Sequence, residues 1–170
     1  METIYYAECR MPWVSLLLAS NERGLASVQF VGKGEKRSAL AWLRRRFPGA
    51  KLVRSAEVNQ KALEELEAYG RGGRQPFTMP LDLHGSPFQV KVWQALRRIP
   101  FGETRSYADI ARALGRPKAF RAVGTASRTN PLCIVVPCHR VIGSDGDLCG
   151  FGGGLKLKRQ LLDHEKRQRI

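Results

Sequence analysis

A segment rich in glycine and proline divides this chain into two parts with different patterns of apolar residues. Residues 70–76 read Gly-Arg-Gly-Gly-Arg-Gln-Pro, a composition typical of a linker. Before this segment, apolar residues follow both strand and helix patterns, whereas after it they recur mainly at helical spacing. We therefore predict a two-domain chain of mixed α/β (α+β) structure, with domains over residues 1–75 and 76–170.

The first domain is predicted to be a supporting scaffold. Strand patterns cover residues 4–8, 14–19 and 25–31, and helical patterns cover 39–47 and 63–69. This part of the sequence gathers no set of nucleophiles, metal ligands or paired carboxylates. Its apolar residues are sufficient for a core, so we assign it no chemistry.

The charge of the chain points to a polyanionic partner. Lysine and arginine number 29 against 15 acidic residues, and residues 81–170 alone hold 16 basic and 7 acidic side chains. An excess of this size favours nucleic acid as the partner. The sequence has no apolar run long enough to cross a membrane and no signal-peptide pattern. We therefore expect no membrane partner. Four cysteines without regular spacing favour a reduced, cytoplasmic protein.

Three successive helices are predicted in the first part of the second domain. The first spans residues 88–96, and the second begins at Tyr107 after Ser106 or Thr104 as its N-cap and stops at Gly115. The third is predicted to start at Pro117 and to run through Arg128. Two helices joined by a tight turn that contains glycine, in a basic region, indicate a helix-turn-helix.

The third helix is predicted to have a basic outer face. Ala122, Val123 and Ala126 are expected to pack inward. The residues expected on the opposite face are Arg121, Gly124, Thr125 and Arg128. A glycine inside a helix costs about 1 kcal/mol relative to alanine. Either Gly124 lets a nucleic-acid backbone approach closely, or it packs against a neighbour on a solvated basic face.

The segment Ile134–Ile142 holds the candidate chemistry, because a predicted strand ends at Pro137 and is followed by Cys138, His139 and Arg140. A free thiol has a pKa of about 8.5, so it needs help to react as a thiolate at neutral pH. Side chains of consecutive strand residues point to opposite faces, so His139 reaches Cys138 only through a backbone turn at Pro137 or through a water.

Glu165 is the candidate acceptor that orients His139. It shares a helical face with Leu157, Leu161 and His164, and a carboxylate on a buried face needs a partner. We predict a relay from Glu165 to His139 to water to Cys138. The alternatives are an inert buried cysteine and a surface pair of Glu165 with Arg169. Cys133, Cys138 and His139 lack the spacing of a zinc or haem motif, so we predict no metal site.

Several motifs of the second domain together resemble those of the O6-alkylguanine-DNA alkyltransferases, which repair DNA by direct reversal. The resemblance is dense from about residue 87 to residue 165 and diffuse before it. The matching segments are Gly102–Tyr107, Arg121–Gly124, Asn130–Pro131, Pro137–Val141 and Leu161–Glu165. The resemblance implies a ribonuclease-H-like N-terminal domain and a winged helix-turn-helix-like C-terminal domain.

The resemblance also implies the reaction. An alkyl group, usually methyl, would move irreversibly from O6-alkylguanine in double-stranded DNA to Cys138 in a single turnover, without a cofactor. O4-alkylthymine is a second candidate substrate, and we expect a monomer in solution. The alternative within the same fold is a non-catalytic alkyltransferase-like protein that binds lesions, although such proteins replace the cysteine. A sequence-specific helix-turn-helix regulator and a cysteine hydrolase are further alternatives.

The roles of individual residues follow from the same resemblance. Tyr107 would donate a hydrogen bond to the damaged base, and Asn130 would brace the active-site loop. Arg121 would fill the gap that the flipped nucleotide leaves in the stack. The residues expected to contact DNA are Arg121, Gly124, Thr125, Ser127, Arg128 and Arg140. Those expected around the substrate are Cys133, Val136, Phe151, Gly152, Gly153 and Lys158. Phe151 stands where the family commonly has tyrosine.

Overall fold

The computed structural model describes residues 1–32 and 34–169, which form two compact units, Met1–Leu83 and His84–Ile170. The division falls after Leu83, beyond the boundary predicted between residues 75 and 76. The reason lies at the edge of the first sheet, where Leu25 N–H donates to Pro80 O (2.8 Å) and Asp82 N–H donates to Leu25 O (2.8 Å). These bonds hold the segment after the glycine-rich stretch in the first unit.

The first unit contains a four-stranded sheet and two helices. The elements are β1 (Thr3–Met11), β2 (Val14–Asn21), β3 (Gly24–Val31), α1 (Lys36–Arg46), β4 (Lys51–Arg54) and α2 (Gln60–Gly70). The sheet order is β3-β2-β1-β4, with β1, β2 and β3 antiparallel and β4 parallel to β1. The three predicted strands and the helix predicted over 63–69 lie within longer elements, whereas the helix predicted over 39–47 ends one residue beyond α1 and β4 was not predicted. This mixture agrees with the predicted fold class.

A buried apolar cluster joins the sheet to helix α1. Its members are Ile4, Leu17, Ala19, Ala26, Ala39, Leu43 and Phe47. Helix α2 buries Ala62, Leu66 and Tyr69. Burial of apolar side chains stabilises this unit by roughly 25 cal/mol for each Å² of apolar surface removed from water.

The second unit is mainly helical. Its elements are α3 (Pro87–Leu96), β5 (Arg105–Ser106), α4 (Tyr107–Ala113), α5 (Phe120–Arg128), a 3₁₀ helix (Cys138–Arg140), β6 (Val141–Ile142) and α6 (Leu155–Gln168). Strands β5 and β6 form a short parallel pair. Trp93 of α3 is buried, and its indole N–H donates to Ala126 O of α5 at 2.9 Å. Among the described residues, no helix is both long and apolar enough to cross a membrane.

Helix α4 has well-defined ends. Ser106 is the N-cap of α4, with a capping box completed by Asp109. At the other end, Arg116 N–H donates to Ala111 O and Gly115 N–H donates to Arg112 O, both at 2.9 Å. Gly115 has a φ of 72°, so this is a Schellman motif. The helix-turn-helix arrangement predicted from the sequence is therefore present.

The predicted start of the third helix at Pro117 was wrong. Helix α5 begins at Phe120, and Ala119 N–H donates to Arg116 O at 2.9 Å. Pro117 therefore occupies the second position of a four-residue turn, which proline also favours because its φ is fixed. The fixed φ of proline suits both the second position of a four-residue turn and the first position of a helix. The sequence alone therefore does not distinguish these two placements of Pro117.

Gly115 and Gly124 offer a matched test of backbone conformation in this unit. Open space surrounds a Cβ at Gly115, so Gly115→Ala is expected to lower the free energy of unfolding by about 1–2 kcal/mol through its positive φ alone. A Cβ at Gly124 meets Tyr107 at 3.8 Å, an ordinary contact, so Gly124→Ala is expected to raise stability by up to about 1 kcal/mol. Urea unfolding of both variants measures these changes. Equal effects of the two substitutions would contradict this assignment.

Candidate active site and DNA-binding face

The backbone before Cys138 is a pair of tight turns, so the strand predicted over Ile134–Val136 was wrong. Val135 N–H donates to Cys133 O at 2.9 Å, around Ile134 with a φ of 72°. Cys138 N–H donates to Val136 O at 2.8 Å, around Pro137 with φ −80° and ψ 64°. These are γ-turns. A β-branched residue rarely adopts a positive φ, and such strain costs on the order of 1–3 kcal/mol.

Asn130 holds these turns in place from the end of helix α5. Its side-chain oxygen accepts from Leu132 N–H at 2.9 Å, and its amide nitrogen donates to Val136 O at 2.8 Å. The Asn130 side chain also lowers the pKa of the Cys138 thiol. One side chain thus connects the helix-turn-helix with the strained turn and with the candidate nucleophile.

Cys138 begins the 3₁₀ helix and is 6% exposed. The neighbouring Cys133 thiol lowers the pKa of Cys138, and the Asn130 side chain and the positive charge of Lys158 act in the same direction, against the opposing effect of burial. The interaction with Cys138 and burial raise the pKa of Cys133 well above its usual value. Cys138 is therefore the sulfur of this pair that ionises first.

His139 and Glu165 lie together in the interior of the second unit. His139 Nε2 and Glu165 Oε1 are 2.7 Å apart, and both residues are fully buried. Burial lowers the pKa of His139 and outweighs the hydrogen bond and the charge of Glu165. The ring is thus neutral, and its Nε2–H donates to the carboxylate. Within the described chain, His139 Nδ1 has no hydrogen-bond partner, which leaves it free to accept a proton.

Arg140 supports Glu165, although the sequence analysis placed it on the DNA-binding face. It is 7% exposed. Its guanidinium donates to Glu165 Oε2 at 2.9 Å, to Glu165 Oε1 at 2.8 Å and to Ile99 O at 2.7 Å. Burial alone would raise the pKa of Glu165, but the hydrogen bonds from His139 and Arg140, together with the charge of Arg140, lower it well below its usual range. Glu165 is therefore an ionised acceptor for both neighbours.

Lys158 of helix α6 is fully buried beside the candidate nucleophile. Its ammonium donates to Val141 O at 2.6 Å and to Cys149 O at 2.8 Å, and it lies 5.9 Å from the centre of the Tyr107 ring. Burial lowers the pKa of Lys158. Tyr107 donates to the same Cys149 carbonyl at 3.3 Å, a long hydrogen bond. Lys158 thus holds the segment around Cys149 against Tyr107.

Helix α5 presents a narrower outer face than the sequence predicts. Arg121, Thr125 and Arg128 are exposed, and Arg128 donates to Thr125 Oγ1 at 3.2 Å. Gly124 and Ser127 are buried, and the Ser127 hydroxyl donates to Val123 O at 2.9 Å. Since Gly124 faces the Tyr107 ring, the packing interpretation of this glycine fits the structure.

Two further residues of α5 differ from expectation. Ala122 is exposed, although it was expected to pack inward. Phe120, which the sequence analysis passed over, is 45% exposed, and the Arg121 guanidinium lies 5.9 Å from its ring centre. The sequence signal that could have identified Phe120 is its position as a large apolar residue directly before Arg121 in a basic helix.

The remaining predicted pocket residues lie on both sides of the nucleophile in sequence. Val136 is fully buried in the strained turn, and Phe151 is partly buried just before α6. Gly152 and Gly153 are exposed in the same segment, where Gly154 N–H donates to Phe151 O at 2.9 Å. Among residues 1–32 and 34–169, no group of three or more His, Cys, Asp or Glu side chains is placed to hold a metal.

Known proteins share both the sequence and the fold of this chain. A family model described as "6-O-methylguanine DNA methyltransferase, DNA binding domain" matches residues 87–167. The chain is 42% identical, over 97% of its length, to the inducible methylated-DNA–protein-cysteine methyltransferase of Bacillus subtilis, of which it covers 92%. Its structure superposes on the O6-methylguanine methyltransferase of Mycobacterium tuberculosis with a TM-score of 0.84 and 38% identity, covering 99% and 96% of the two chains. For M. tuberculosis OGT in complex with DNA, the TM-score is 0.82 at 38% identity, with 96% and 94% covered.

The neutral, buried state of His139 predicts how stability depends on pH. The unfolded chain protonates His139 near pH 6.5, whereas burial lowers the pKa of the folded ring. This contribution to stability is complete above about pH 6.5 and is lost as the pH falls toward the folded pKa, with a slope of up to about 1.4 kcal/mol per pH unit. We expect His139→Gln to reduce this slope between pH 7 and pH 5, as measured by urea unfolding. The control is His84→Gln, at an exposed histidine, which should retain the slope. An unchanged slope in His139→Gln would contradict a neutral His139.

Proposed function

Because the chain belongs to the family of methylated-DNA–protein-cysteine methyltransferases, we propose that it repairs DNA by transferring alkyl groups from O6-alkylguanine to its own Cys138. The observation that carries this assignment is the position of Cys138 on the same 3₁₀ turn as His139, which is bonded to buried Glu165 at 2.7 Å. A nucleophile, a base and an orienting carboxylate are the components of an activated thiol.

Activation of the thiol begins with proton transfer to His139. In the proposed path the Cys138 proton passes through a water to Nδ1, the nitrogen that has no partner within the described chain. The imidazolium that forms is stabilised by ionised Glu165. Glu165 in turn stays anionic because the Arg140 guanidinium donates hydrogen bonds to both of its carboxylate oxygens. Cys133, Asn130 and Lys158 stabilise the thiolate left behind, as the lowered pKa of Cys138 indicates.

The transfer itself is a single displacement. The Cys138 sulfur forms a bond to the alkyl carbon while the bond from that carbon to guanine O6 breaks, and the electron pair goes to the base. The product at Cys138 is a thioether. It has no S–H proton to lose, and the Cys138 thiolate is a poor leaving group from the alkyl carbon, so the transfer is not reversed. Each molecule therefore acts once, and no cofactor takes part.

Tyr107 is the proposed donor to the departing guanine. Its hydroxyl bonds to Cys149 O at 3.3 Å, a contact long enough to exchange for a hydrogen bond to the base. A donor placed there would stabilise negative charge as it develops on the ring. The nearby Lys158 ammonium adds positive potential on the same side. The segment 151–153 would complete the substrate pocket with Val136 and Cys133.

The outer face of α5 supports binding of double-stranded DNA. Arg121, Thr125 and Arg128 are exposed on it, in a unit with a large excess of basic side chains. In the proposed complex the helix lies in the minor groove and Arg121 fills the space of the flipped nucleotide. The exposed Phe120 ring would add apolar surface beside it, of the kind that wedges between base steps.

The non-catalytic alternative is less well supported than alkyl transfer. The relatives found by comparison are named as methyltransferases. The chain also keeps Cys138, with surroundings that lower its pKa. A protein that only binds lesions needs neither feature. Transfer is therefore the function that accounts for the site.

The proposed place of action is the cytoplasm. Cys9, Cys133, Cys138 and Cys149 are free thiols in the structure. A single-use nucleophile must remain reduced until it meets a lesion, which the reducing cytoplasm favours.

The direct test of this function is the mass of the protein after incubation with a duplex that holds one O6-methylguanine. We expect each molecule to gain at most one methyl group, located on Cys138 by peptide mapping. Cys138→Ser should lose this gain while retaining affinity for the duplex, because the substitution leaves α5 unchanged. Cys9→Ala, in the first unit, is the matched control and should be methylated like the native chain. Methylation of Cys138→Ser, or no methylation of the native chain, would refute the assignment.

A further inference from the structure

One side chain connects the outer face of helix α5 with the segment that holds Tyr107. Arg128 is the last residue of the helix, and its Nη2 donates to Thr125 Oγ1 at 3.2 Å. Its aliphatic stem lies against Gly150, since a Cβ at Gly150 would be 3.1 Å from Arg128 Cδ and 3.5 Å from Cγ. The stem therefore fills the space that a side chain at position 150 would occupy.

The segment that Arg128 contacts has few side chains of its own to fix it. Residues 150–154 read Gly-Phe-Gly-Gly-Gly, and open space surrounds a Cβ at Gly152 and at Gly154. Glycine loses more conformational freedom on folding than any other residue, so a segment of this composition is costly to hold in one conformation. Contacts from neighbouring elements therefore have to fix its position.

Two basic side chains hold this segment at its beginning. Lys158 is fully buried, and its ammonium donates to Cys149 O at 2.8 Å. Arg128 is exposed, and its stem packs on the next residue, Gly150. The Cys149 carbonyl is also the acceptor of the Tyr107 hydroxyl, at 3.3 Å. The position of the group that binds Tyr107 thus depends on both basic side chains.

Arg128 also lies close to the Tyr107 ring. A Cβ at Gly124 would be 3.7 Å from Arg128 Nη1 and 3.8 Å from Tyr107 Cδ1. Burial raises the pKa of Tyr107, and the positive charge of Arg128 acts in the opposite direction. Helix α5, the Tyr107 ring and the segment at Gly150 are therefore neighbours of one arginine.

We propose that Arg128 has two separable roles, in which its guanidinium binds a DNA phosphate and its aliphatic stem positions the Cys149–Gly150 segment beside Tyr107. The inference rests on the proposed function and deepens it, because it makes Arg128 a positioning residue for the substrate pocket. Long charged side chains bury their stems and keep the charged group in water. Within the described chain, the guanidinium uses one of its five N–H groups, toward Thr125, so donors remain for a phosphate oxygen.

Methionine and alanine at this position separate the two roles. Arg128→Met keeps an unbranched apolar stem that can pack on Gly150, but it removes the charge. Arg128→Ala removes both the stem and the charge. Methionine and alanine are both favourable inside a helix, so a difference between the variants reports the stem rather than the stability of α5.

The first measurement is the single-turnover rate of methyl transfer from a duplex with one O6-methylguanine, over a range of DNA concentrations. Both variants should bind the duplex more weakly than the native chain, with the salt dependence of log affinity reduced by about one, as for the loss of one phosphate contact. At saturating DNA, transfer by Arg128→Ala should be roughly tenfold slower than by Arg128→Met, because groups that contact the substrate are misplaced. Arg98→Ala, at an exposed arginine outside α5, should keep the native saturating rate.

The second measurement needs no DNA. Nitrogen-15 relaxation of the free protein gives the order parameter of the Gly150 amide, which reports motion on the picosecond to nanosecond timescale. We expect a value near about 0.85 in the native chain and in Arg128→Met, and a value below about 0.6 in Arg128→Ala. The Gly115 amide, which lies outside this segment, is the internal control and should be the same in all three proteins.

Each role can be overturned separately. Equal saturating rates in Arg128→Met and Arg128→Ala, or equal order parameters at Gly150, would overturn the role of the stem. A native salt dependence in Arg128→Met would overturn the role of the guanidinium.

The outcomes also distinguish this proposal from the proposed function. If the native chain takes no methyl group from the duplex, alkyl transfer is refuted, while the order parameters still test the stem. If the native chain is methylated and the two variants do not differ, only the positioning role of Arg128 is refuted.

Discussion

The buried carboxylate of Glu165 is the interaction on which the second unit depends. It binds Arg140 through two oxygens, His139 at 2.7 Å and Gly102 N–H at 3.1 Å. Helix α6, the 3₁₀ turn and the loop after α3 therefore meet at one charge. Removal of one partner of a buried ion pair costs roughly 3–5 kcal/mol, because the other charge remains buried without compensation. The same atoms that hold these elements together fix the position and state of His139.

This arrangement separates the protonation states of two neighbouring side chains. Burial keeps His139 neutral, while Cys133, Asn130 and Lys158 favour the thiolate of Cys138. Glu165, ionised and paired with Arg140, accepts the Nε2 proton and leaves Nδ1 available as a base. The residues that stabilise the unit therefore also set the chemistry of the site. The strained turn at Ile134 is held separately, by the hydrogen bonds of the Asn130 side chain. Strain of this kind persists only where the surrounding contacts determine the backbone.

Much of this could be predicted from the sequence, because local patterns determine it. Strands β1, β2 and β3 of the first sheet, a cap at Ser106 or Thr104 and the stop at Gly115 follow from alternation, capping and glycine preference. The pairing of Glu165 with His139 followed from a carboxylate on a buried helical face. The turns before Cys138 could not be predicted, since an apolar run of β-branched residues favours a strand and only tertiary contacts override that preference. Arg140 looked like a DNA contact for a similar reason, because a charged residue is rarely buried unless a distant partner is present.

The central claim is that His139 is neutral and carries its proton on Nε2, toward Glu165. Nitrogen-15 NMR of the histidine rings in the native protein measures this directly, with His139→Gln to assign the signal. We expect a protonated Nε2 and an unprotonated Nδ1 at pH 7, with the same tautomer retained well below the usual histidine pKa. An imidazolium at pH 7, or a proton on Nδ1 in the neutral ring, would contradict the account.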